Sequence, residues 1–370
     1  MNKSRILTII LTALICVSAV SCNKNSNKSS ENSSNEASQF ATETTEESSE
    51  QTTEEQTDAE ESTDSKNESP DNPFGKTTDI NDYFTPDAPE PALWKVTDDD
   101  SGNVMYMMGT IHVASDNAFS LPDYIMDAYE NADGVAVEYD INKLSSSLTS
   151  LALYQNALLY KDGTTVKDHL SSETYEKAKN YFDDLGVYNE QLDKYTTGYW
   201  IQQLNMIMFQ RMENLNLTGI DSYFIGLANK DGKEVVSIEE LSAQTDALNA
   251  YSDDLADYVI SDMVDNIDEI EEYTQSVADM YNCWAKGDVD KLQEIDADEM
   301  GELPKELEDD YVQYENIILH NRNQVMAQRA SEFIENNDNL FYMVGSLHFA
   351  GDQGVDDILE DMGYTVEKLH

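Results

Sequence analysis

Two stretches of this chain share one pattern: an apolar run of strand length that ends in glycine, followed three residues later by histidine. The first runs from Val104 to His112 and the second from Leu340 to His348. Each predicts a buried strand whose end presents an imidazole. The chain has only 5 histidines, so two in matching positions constrain the fold more than any other feature.

The segments that flank these runs predict the fold class. Each run is followed by a helical pattern and then by a second short strand, Val135–Glu138 after the first and Tyr364–Leu369 after the second. Strand, helix and strand in close succession are typical of a right-handed crossover in a parallel sheet. From Leu144 onward the periodicity between the two units is mainly helical. We therefore predict an α/β fold with a mixed, mainly parallel central sheet. It is built from two βαβ-like halves with a large helical insertion between them.

The N-terminus has the pattern of a lipoprotein signal. Lys3 and Arg5 precede an apolar stretch, Ile6 to Val20, and small residues lead to Cys22. This order predicts a signal peptide over residues 1–21, and a cysteine directly after it resembles the bacterial lipobox. We expect Cys22 to be lipidated and to anchor the chain at the extracytoplasmic face of the cell membrane. A plain signal peptide with an incidental cysteine is the alternative.

Residues 22–90 predict an acidic tether that is disordered over most of its length. It is rich in Ser, Thr, Glu and Asn, and such a composition buries too little apolar surface to offset the entropy of ordering. Near its end, Phe74, Tyr83 and Phe84 are available to dock on the folded body. The folded domain is predicted over residues 91–370.

The charge and cysteine content exclude several function classes. The formal net charge is −52 at pH 7, and acids run through the predicted domain as well as the tether. Such a chain repels phosphate backbones and anionic lipids, so we expect no nucleic-acid partner and a membrane contact made by the lipid alone. With Cys16 removed in the signal peptide and Cys22 lipidated, Cys283 is the one unmodified thiol of the mature protein, which excludes an internal disulfide.

Four side chains that can bind metals or move protons fall at predicted strand ends. They are His112, Glu138, Glu239 and His348. Ligands of parallel α/β sheets bind outside the carboxyl ends of the strands, so these residues are expected to meet at one edge. Two imidazoles and a carboxylate are a common ligand set for a catalytic divalent metal. The predicted ligands are His112, His348 and Glu138.

Further roles follow for the remaining polar residues. A second glutamate beside such a metal can act as a general base, and Arg322 can stabilise an oxyanion or bind a substrate carboxylate. The predicted catalytic residues are Glu138, Glu239 and Arg322. Each site residue also has a plainer interpretation. The histidines could be satisfied residues at the rim of the core, and Glu138 could be a helix cap or an ion-pair partner. Glu239 could be a solvated corner, and Arg322 could offset the surrounding acids. The glycine before each histidine is expected to allow a tight turn at the rim.

The motifs around these residues resemble the TraB/PrgY/GumN family in their order along the chain. The opening motif consists of Gly109-Thr-Ile-His112, Leu121-Pro122 and Val137-Glu138. The middle motif consists of Gly219-Ile-Asp221, Tyr223-Phe224, Ile238-Glu239 and Gln244. The last consists of Arg322-Asn323, Val344–His348, Gly351, Gly354 and Gly363–Val366. The resemblance spans about Leu93 to Leu369.

The resemblance implies chemistry as well as fold. Its Tiki-like members are metal-dependent proteases with two Gly-x-x-His motifs, and its PrgY branch dampens peptide pheromone signalling. A peptide or protein substrate and a bound divalent metal (Mn, Co or Zn) are therefore implied for this chain. The family is also related to haem-binding proteins.

Two functions stay open at this point. The first is a lipid-anchored, metal-dependent hydrolase, specifically a peptidase. The second is a non-catalytic lipoprotein that binds a peptide or haem. A third hypothesis is a structural or interaction protein whose site has lost its activity.

Overall fold

The structure, a computed structural model, describes residues 72–84, 88–300 and 303–370, with the backbone alone at residues 145 and 296–300. The predicted signal peptide, the predicted lipidation site Cys22 and the predicted tether up to residue 71 lie outside the described residues. Those three features stay predictions. No helix of the described part is both long enough and apolar enough to cross a bilayer.

The elements alternate between strands and helices at both ends of the domain, with helices between. The strands are β1 (Thr78–Asp79), β2 (Leu93–Thr97), β3 (Val104–Thr110), β4 (Gly134–Val137), β5 (Met212–Glu213), β6 (Glu234–Ser237), β7 (Leu340–Gly345) and β8 (Thr365–Lys368). The first helices are α1 (Asp123–Asn131), α2 (Ile141–Ser146), α3 (Leu148–Ala157), α4 (Val166–His169), α5 (Ser172–Asp184), α6 (Thr197–Phe209) and α7 (Gly219–Asp231). They are followed by α8 (Leu241–Leu248), α9 (Asp253–Asp265), α10 (Ile270–Trp284), α11 (Val289–Met300), α12 (Glu308–Glu315), α13 (Asn321–Glu335) and α14 (Val355–Asp361).

The central sheet has six strands in the order β6-β4-β7-β3-β2-β8. The first four run parallel, while β2 is antiparallel to both of its neighbours, β3 and β8. This confirms the predicted mixed, mainly parallel α/β sheet. The two βαβ-like halves interleave, because β7 of the second half lies between β3 and β4 of the first. Interleaving makes β3 and β7, the two strands that lead to Gly-x-x-His, direct neighbours.

Both faces of the sheet are buried, which explains the unbroken apolar runs of its central strands. Along β7, Phe341 and Met343 pack towards α1, α7 and α10, and their cluster includes Phe224 and Trp284. The alternate residues of β7 pack on the other face, in the cluster formed with α13 and α14. A third core, centred on Trp200, joins α5, α6, α9 and α12 in the helical insertion.

Residues 72–84, here called the N-terminal strap, pack on the domain. Within it β1 pairs in parallel with β5, and Ile80 is completely buried. Phe74, Tyr83 and Phe84 each pack against a core cluster, as expected for docking residues. The folded domain therefore begins before residue 91, since the end of the predicted tether carries apolar side chains that it can bury.

Candidate metal and hydrolase site

The two Gly-x-x-His segments leave the sheet side by side. In the parallel ladder of β3 and β7, Gly109 lies opposite Val344 and Thr110 lies opposite Gly345. The strands are in nearly the same register, so the histidine after each one projects at the same edge of the sheet. Glu138 directly follows β4, the other neighbour of β7, and reaches that edge as well.

The two glycines serve close packing and not a tight turn, which corrects the role expected from the sequence. Gly345 has an ordinary φ of −52°, and Gly109 also lies outside the left-handed region. A Cβ on Gly109 would lie 2.6 Å from Ser346 Oγ and 2.9 Å from Ser346 Cα. Any larger residue at Gly109 would therefore push the two histidine-bearing segments apart.

Gly345 lies where the predicted ligands converge. A Cβ on this residue would lie 3.2 Å from Glu138 Oε1, 3.6 Å from His348 Cδ2 and 3.9 Å from His112 Nε2. Side chains from three strand ends thus surround one small space, as the parallel-sheet argument predicts. Glu138 Oε1 lies 3.7 Å from His348 Nε2.

The buried ring of His348 is held in one tautomer by Asn323. The Asn323 side-chain nitrogen donates to the carbonyl of Gln353 (2.8 Å), so its oxygen must face the imidazole. That oxygen lies 2.5 Å from His348 Nδ1. The Nδ1 atom therefore carries the hydrogen, and the lone pair of Nε2 is left for the shared space.

His112 is oriented in the same way by a carboxylate. Its Nδ1 lies 3.3 Å from Asp221 Oδ2, and Thr110 Oγ1 donates to the other oxygen of Asp221 (3.0 Å). The helix that carries Asp221 can approach because Gly219 has φ +66° and lies against the backbone of His112. A Cβ on Gly219 would come within 2.9 Å of the His112 carbonyl oxygen.

The two imidazoles differ in protonation. Burial and the nearby positive charge of Arg322 lower the pKa of His348 to about 3, so its ring is neutral at physiological pH. Burial acts to lower the pKa of His112 too, but the hydrogen bond and charge of Asp221 outweigh it and raise that pKa above its usual value. A carboxylate or carbonyl on the far nitrogen of a histidine is the arrangement that commonly supports metal ligation.

Arg322 joins the two predicted glutamates in a buried network. Its Nη2 donates to Glu138 Oε2 (2.5 Å) and to Glu239 Oε2 (2.7 Å), and its Nε donates to Glu239 Oε1 (3.0 Å). Gln244 also donates to Glu239 (2.9 Å), and the amide of Gly345 donates to Glu138 Oε1 (2.7 Å). All three charged side chains are less than 10% exposed.

A π-helical turn over Asn316–His320 aims Arg322 at this network. In such a turn the backbone hydrogen bonds span five residues, as in the bond from Asn321 N to Asn316 O. The carbonyl of Ile318 accepts from Arg322 Nη1 (3.1 Å). Four of the five N–H groups of Arg322 are thus used within the protein, so the guanidinium mainly fixes the two carboxylates. This position offers little support for a direct contact with a substrate carboxylate.

The pKa values of the two glutamates are shifted in opposite directions within this network. Burial acts to raise the pKa of Glu138, but Arg322 and the two imidazoles hold it well below its usual value. Burial raises the pKa of Glu239 despite its contact with Arg322. Glu138 is therefore the firmly ionised carboxylate at the shared space, whereas Glu239 lies behind Arg322.

A cavity of about 60 Å³ opens at this edge of the sheet. Its polar wall includes Thr110, His112, Glu138, Arg322, Ser346 and His348. Its other wall is apolar and comes mainly from α10 and α11. Glu239 is not among the residues that line the cavity, so its position supports bracing of Arg322 more than contact with a substrate.

The donor chemistry fits a divalent metal, although the ligand set is not closed. Among the described residues, no three His, Cys, Asp or Glu side chains are grouped tightly enough to hold a metal ion in this conformation. Two imidazole nitrogens with oriented rings nevertheless face the same space as Glu138 Oε1, and two imidazoles with one carboxylate suit several divalent metals.

Three residues of the site had no role assigned from the sequence: Asp221, Asn323 and Gln244. All three belong to the motifs that carry the family resemblance, which was the available signal. The remaining histidines are elsewhere: His169 is hydrogen bonded to Thr164 and Asp253. His320 lies in the π-helical turn and His370 stacks on Tyr124.

Curated proteins similar to this chain are named as metalloproteases. The chain is 22% identical over 322 residues to Metalloprotease TIKI2 of Danio rerio, a match that covers 74% of this chain and 60% of that protein. It is 20% identical over 307 residues to Metalloprotease TIKI2 of Xenopus tropicalis (71% and 57%). It is also 20% identical over 319 residues to Metalloprotease TIKI1 of Danio rerio (74% and 62%). The chain spans about three fifths of the length of these relatives.

No solved structure is significantly similar to this chain. The family model of TraB/PrgY/gumN, in contrast, matches residues 92–368 of this chain. That range holds the whole central sheet and every residue of the site described above. This chain belongs to the TraB/PrgY/gumN family.

Proposed function

We propose that this protein is a metal-dependent hydrolase that cleaves peptides or the N-terminal regions of proteins. The observation that carries the proposal is the convergence of His112, Glu138 and His348 around Gly345. The names of the curated relatives support a metal-dependent protease activity within the family. Mn²⁺, Co²⁺ and Zn²⁺ all accept this mixture of imidazole and carboxylate ligands.

His112, His348 and Glu138 would hold the metal ion. When bound, such an ion lowers the pKa of a coordinated water and polarises a carbonyl group. The protein prepares the site by keeping His348 neutral and fixing its tautomer through Asn323. Arg322 holds Glu138 ionised, so this carboxylate can serve as a ligand or accept a proton from an attacking water.

The rest of the network orients these groups. Glu239 and Gln244 hold the guanidinium of Arg322 from behind, and the guanidinium fixes one oxygen of Glu138. The other oxygen, Oε1, is held by the amide of Gly345 and borders the space between the imidazoles. Catalytic groups held within a packed network need little reorganisation during the reaction.

Cleavage of a defined peptide mixture by the purified full chain tests this function. We expect mass spectrometry to detect cleavage that a chelator abolishes and that Mn²⁺, Co²⁺ or Zn²⁺ restores. Glu138→Gln should lower the rate by at least about 100-fold, while Glu240→Gln, an exposed acid close in sequence to the site, should not. Saturable peptide binding without metal-dependent cleavage would contradict the hydrolase and favour the binding lipoprotein.

We also propose that the chain is anchored by lipid at Cys22 on the extracytoplasmic face of the membrane. The support is the sequence alone: a basic start, an apolar stretch and a cysteine directly after it. Cys22→Ser should release the protein from the membrane fraction and abolish incorporation of labelled palmitate. Incorporation that persists in this variant would refute lipidation at Cys22.

A further inference from the structure

The cavity has a second wall made of apolar side chains. Val277, Met280 and Trp284 recur at helical spacing along one face of α10, and Leu292 of α11 continues the surface. Val277, Trp284 and Leu292 are each less than 5% exposed, whereas Met280 is partly exposed. The wall lines the same cavity as the two imidazoles and Glu138.

Hydrogen bonds hold this wall in place. Trp284 Nε1 donates to the carbonyl of Gly109 (2.9 Å), which ties α10 to the first histidine-bearing strand. Elsewhere on α10, Thr274 Oγ1 lies 2.6 Å from Thr78 Oγ1 of the N-terminal strap. Asn282 donates to the carbonyl of Tyr83 at the end of the strap (3.1 Å). These hydrogen bonds fix α10, so they also fix the position of the apolar wall relative to the polar side of the cavity.

The composition of the wall selects one kind of occupant. Ligand sites are commonly apolar pockets with a few placed polar groups. The one hydrogen-bond donor on the four side chains of the wall, Trp284 Nε1, already donates to the carbonyl of Gly109. A carboxylate placed against this wall would lose its hydration and gain no hydrogen-bond donor from the wall, which costs free energy.

We propose that this wall is a subsite for an aliphatic side chain, of leucine or methionine size, on the residue that flanks the cleaved peptide bond. The inference rests on the proposed function, because it places the reacting bond beside His112 and His348. It names the substrate class: peptides that carry an aliphatic residue at the cleavage position.

Binding of capped amino acids tests the subsite without requiring catalysis. The full chain, labelled at its methionine methyl groups, is titrated with N-acetyl-leucinamide and with N-acetyl-aspartamide while NMR spectra are recorded. The Met280 signal is assigned with Met280→Leu. We expect N-acetyl-leucinamide to shift this signal saturably and to bind at least about tenfold more tightly than the acidic compound.

A variant that fills the subsite provides the specific control. Met280→Phe should weaken binding of N-acetyl-leucinamide by about tenfold, while Met362→Phe, at an exposed site far along the chain, should leave it unchanged. If Met280→Phe does not fold, Leu292→Ala is measured in its place. It should also weaken binding of N-acetyl-leucinamide, because it removes part of the wall. No saturable binding, or equal binding of the two compounds, overturns the subsite.

The outcomes separate this inference from the proposed function. Selective binding of the leucine compound without cleavage of any peptide would contradict the hydrolase and leave the subsite in place. Metal-dependent cleavage with no preference for the flanking residue would overturn the subsite and leave the hydrolase in place.

Discussion

Replacing Arg322 by methionine should destabilise the protein more than any surface substitution. Methionine keeps much of the side-chain length but removes the charge, so Glu138 and Glu239 remain buried without their shared cation. The side chains of Arg322, Glu138 and Glu239 are only 7%, 8% and 2% exposed. Removing one partner of a buried ion pair costs about 3–5 kcal/mol, and here a single substitution removes the partner of two carboxylates. We expect the free energy of unfolding to fall by at least about 3 kcal/mol.

The size of this loss should depend on pH. In the native protein Arg322 holds the pKa of Glu138 below its unfolded value. This contribution to stability is present above the unfolded pKa of Glu138 and is lost as the pH falls towards the folded one. The variant lacks it, and its buried carboxylates favour the protonated form. The difference between the two proteins should therefore be larger at pH 7.5 than at pH 4.

Urea unfolding followed by circular dichroism at both pH values measures the effect. Arg329→Met is the matched control, because Arg329 lies on the same helix and pairs with Glu332 at the surface. A surface pair of this kind contributes less than about 1 kcal/mol. Adding Glu138→Gln and Glu239→Gln to Arg322→Met should recover stability, since no buried charge is then left alone. A loss under about 1 kcal/mol, or one that is equal at both pH values, would refute this reasoning.

Three further predictions concern other parts of the molecule. Ile80→Ala should lower the free energy of unfolding by about 2–5 kcal/mol in urea titrations, because Ile80 of the N-terminal strap is fully buried; a wild-type value would mean that the strap does not belong to the folded domain. Asn323→Ala should weaken metal binding by about 10- to 100-fold in competition with a chelating dye, because His348 loses the group that sets its tautomer; unchanged affinity would contradict that role. Burial raises the pKa of Asp356 to about 6, so stability falls as the pH rises from the unfolded pKa of aspartate, about 4, to that value. Asp356→Asn should therefore raise the melting temperature at pH 7.5 and leave it nearly unchanged at pH 4, and an equal shift at both pH values would exclude this explanation.

The sequence was sufficient to place the histidines because parallel strands impose a common edge. Two apolar runs with Gly-x-x-His at their ends predict buried strands, and the positions of His112 and His348 follow from the direction of the strands. Glu138 could be placed for the same reason, since it directly follows β4. The class of the fold was predicted from the same periodicities.

The order of the strands and the purpose of the glycines could not be read in this way. Local periodicity does not reveal that β7 inserts between β3 and β4, because pairing depends on contacts between residues far apart in the chain. Gly109 was expected to form a turn, but its role depends on the close approach of Ser346 from the neighbouring strand. Because the two halves interleave, both the order of the strands and the contact of Gly109 with Ser346 depend on residues far apart in the chain.

The roles of the polar residues were also set by long-range packing. Arg322 was predicted to face the substrate, and its buried contacts with Glu138 and Glu239 come from a helix more than 80 residues away from either glutamate. Asp221 and Asn323 orient the imidazoles from α7 and α13. Neither has a local sequence pattern that indicates such a contact.

Metal binding to the single histidine variants tests the central claim most directly. Metal content and thermal shift are measured for the full chain with Mn²⁺, Co²⁺ or Zn²⁺, and for His112→Ala, His348→Ala and the control His169→Ala. If His112 and His348 share one ion, the wild type and the control should bind one metal per chain and gain melting temperature. Both site variants should lose the ion and the shift. Metal binding that survives in either His112→Ala or His348→Ala would contradict a shared site.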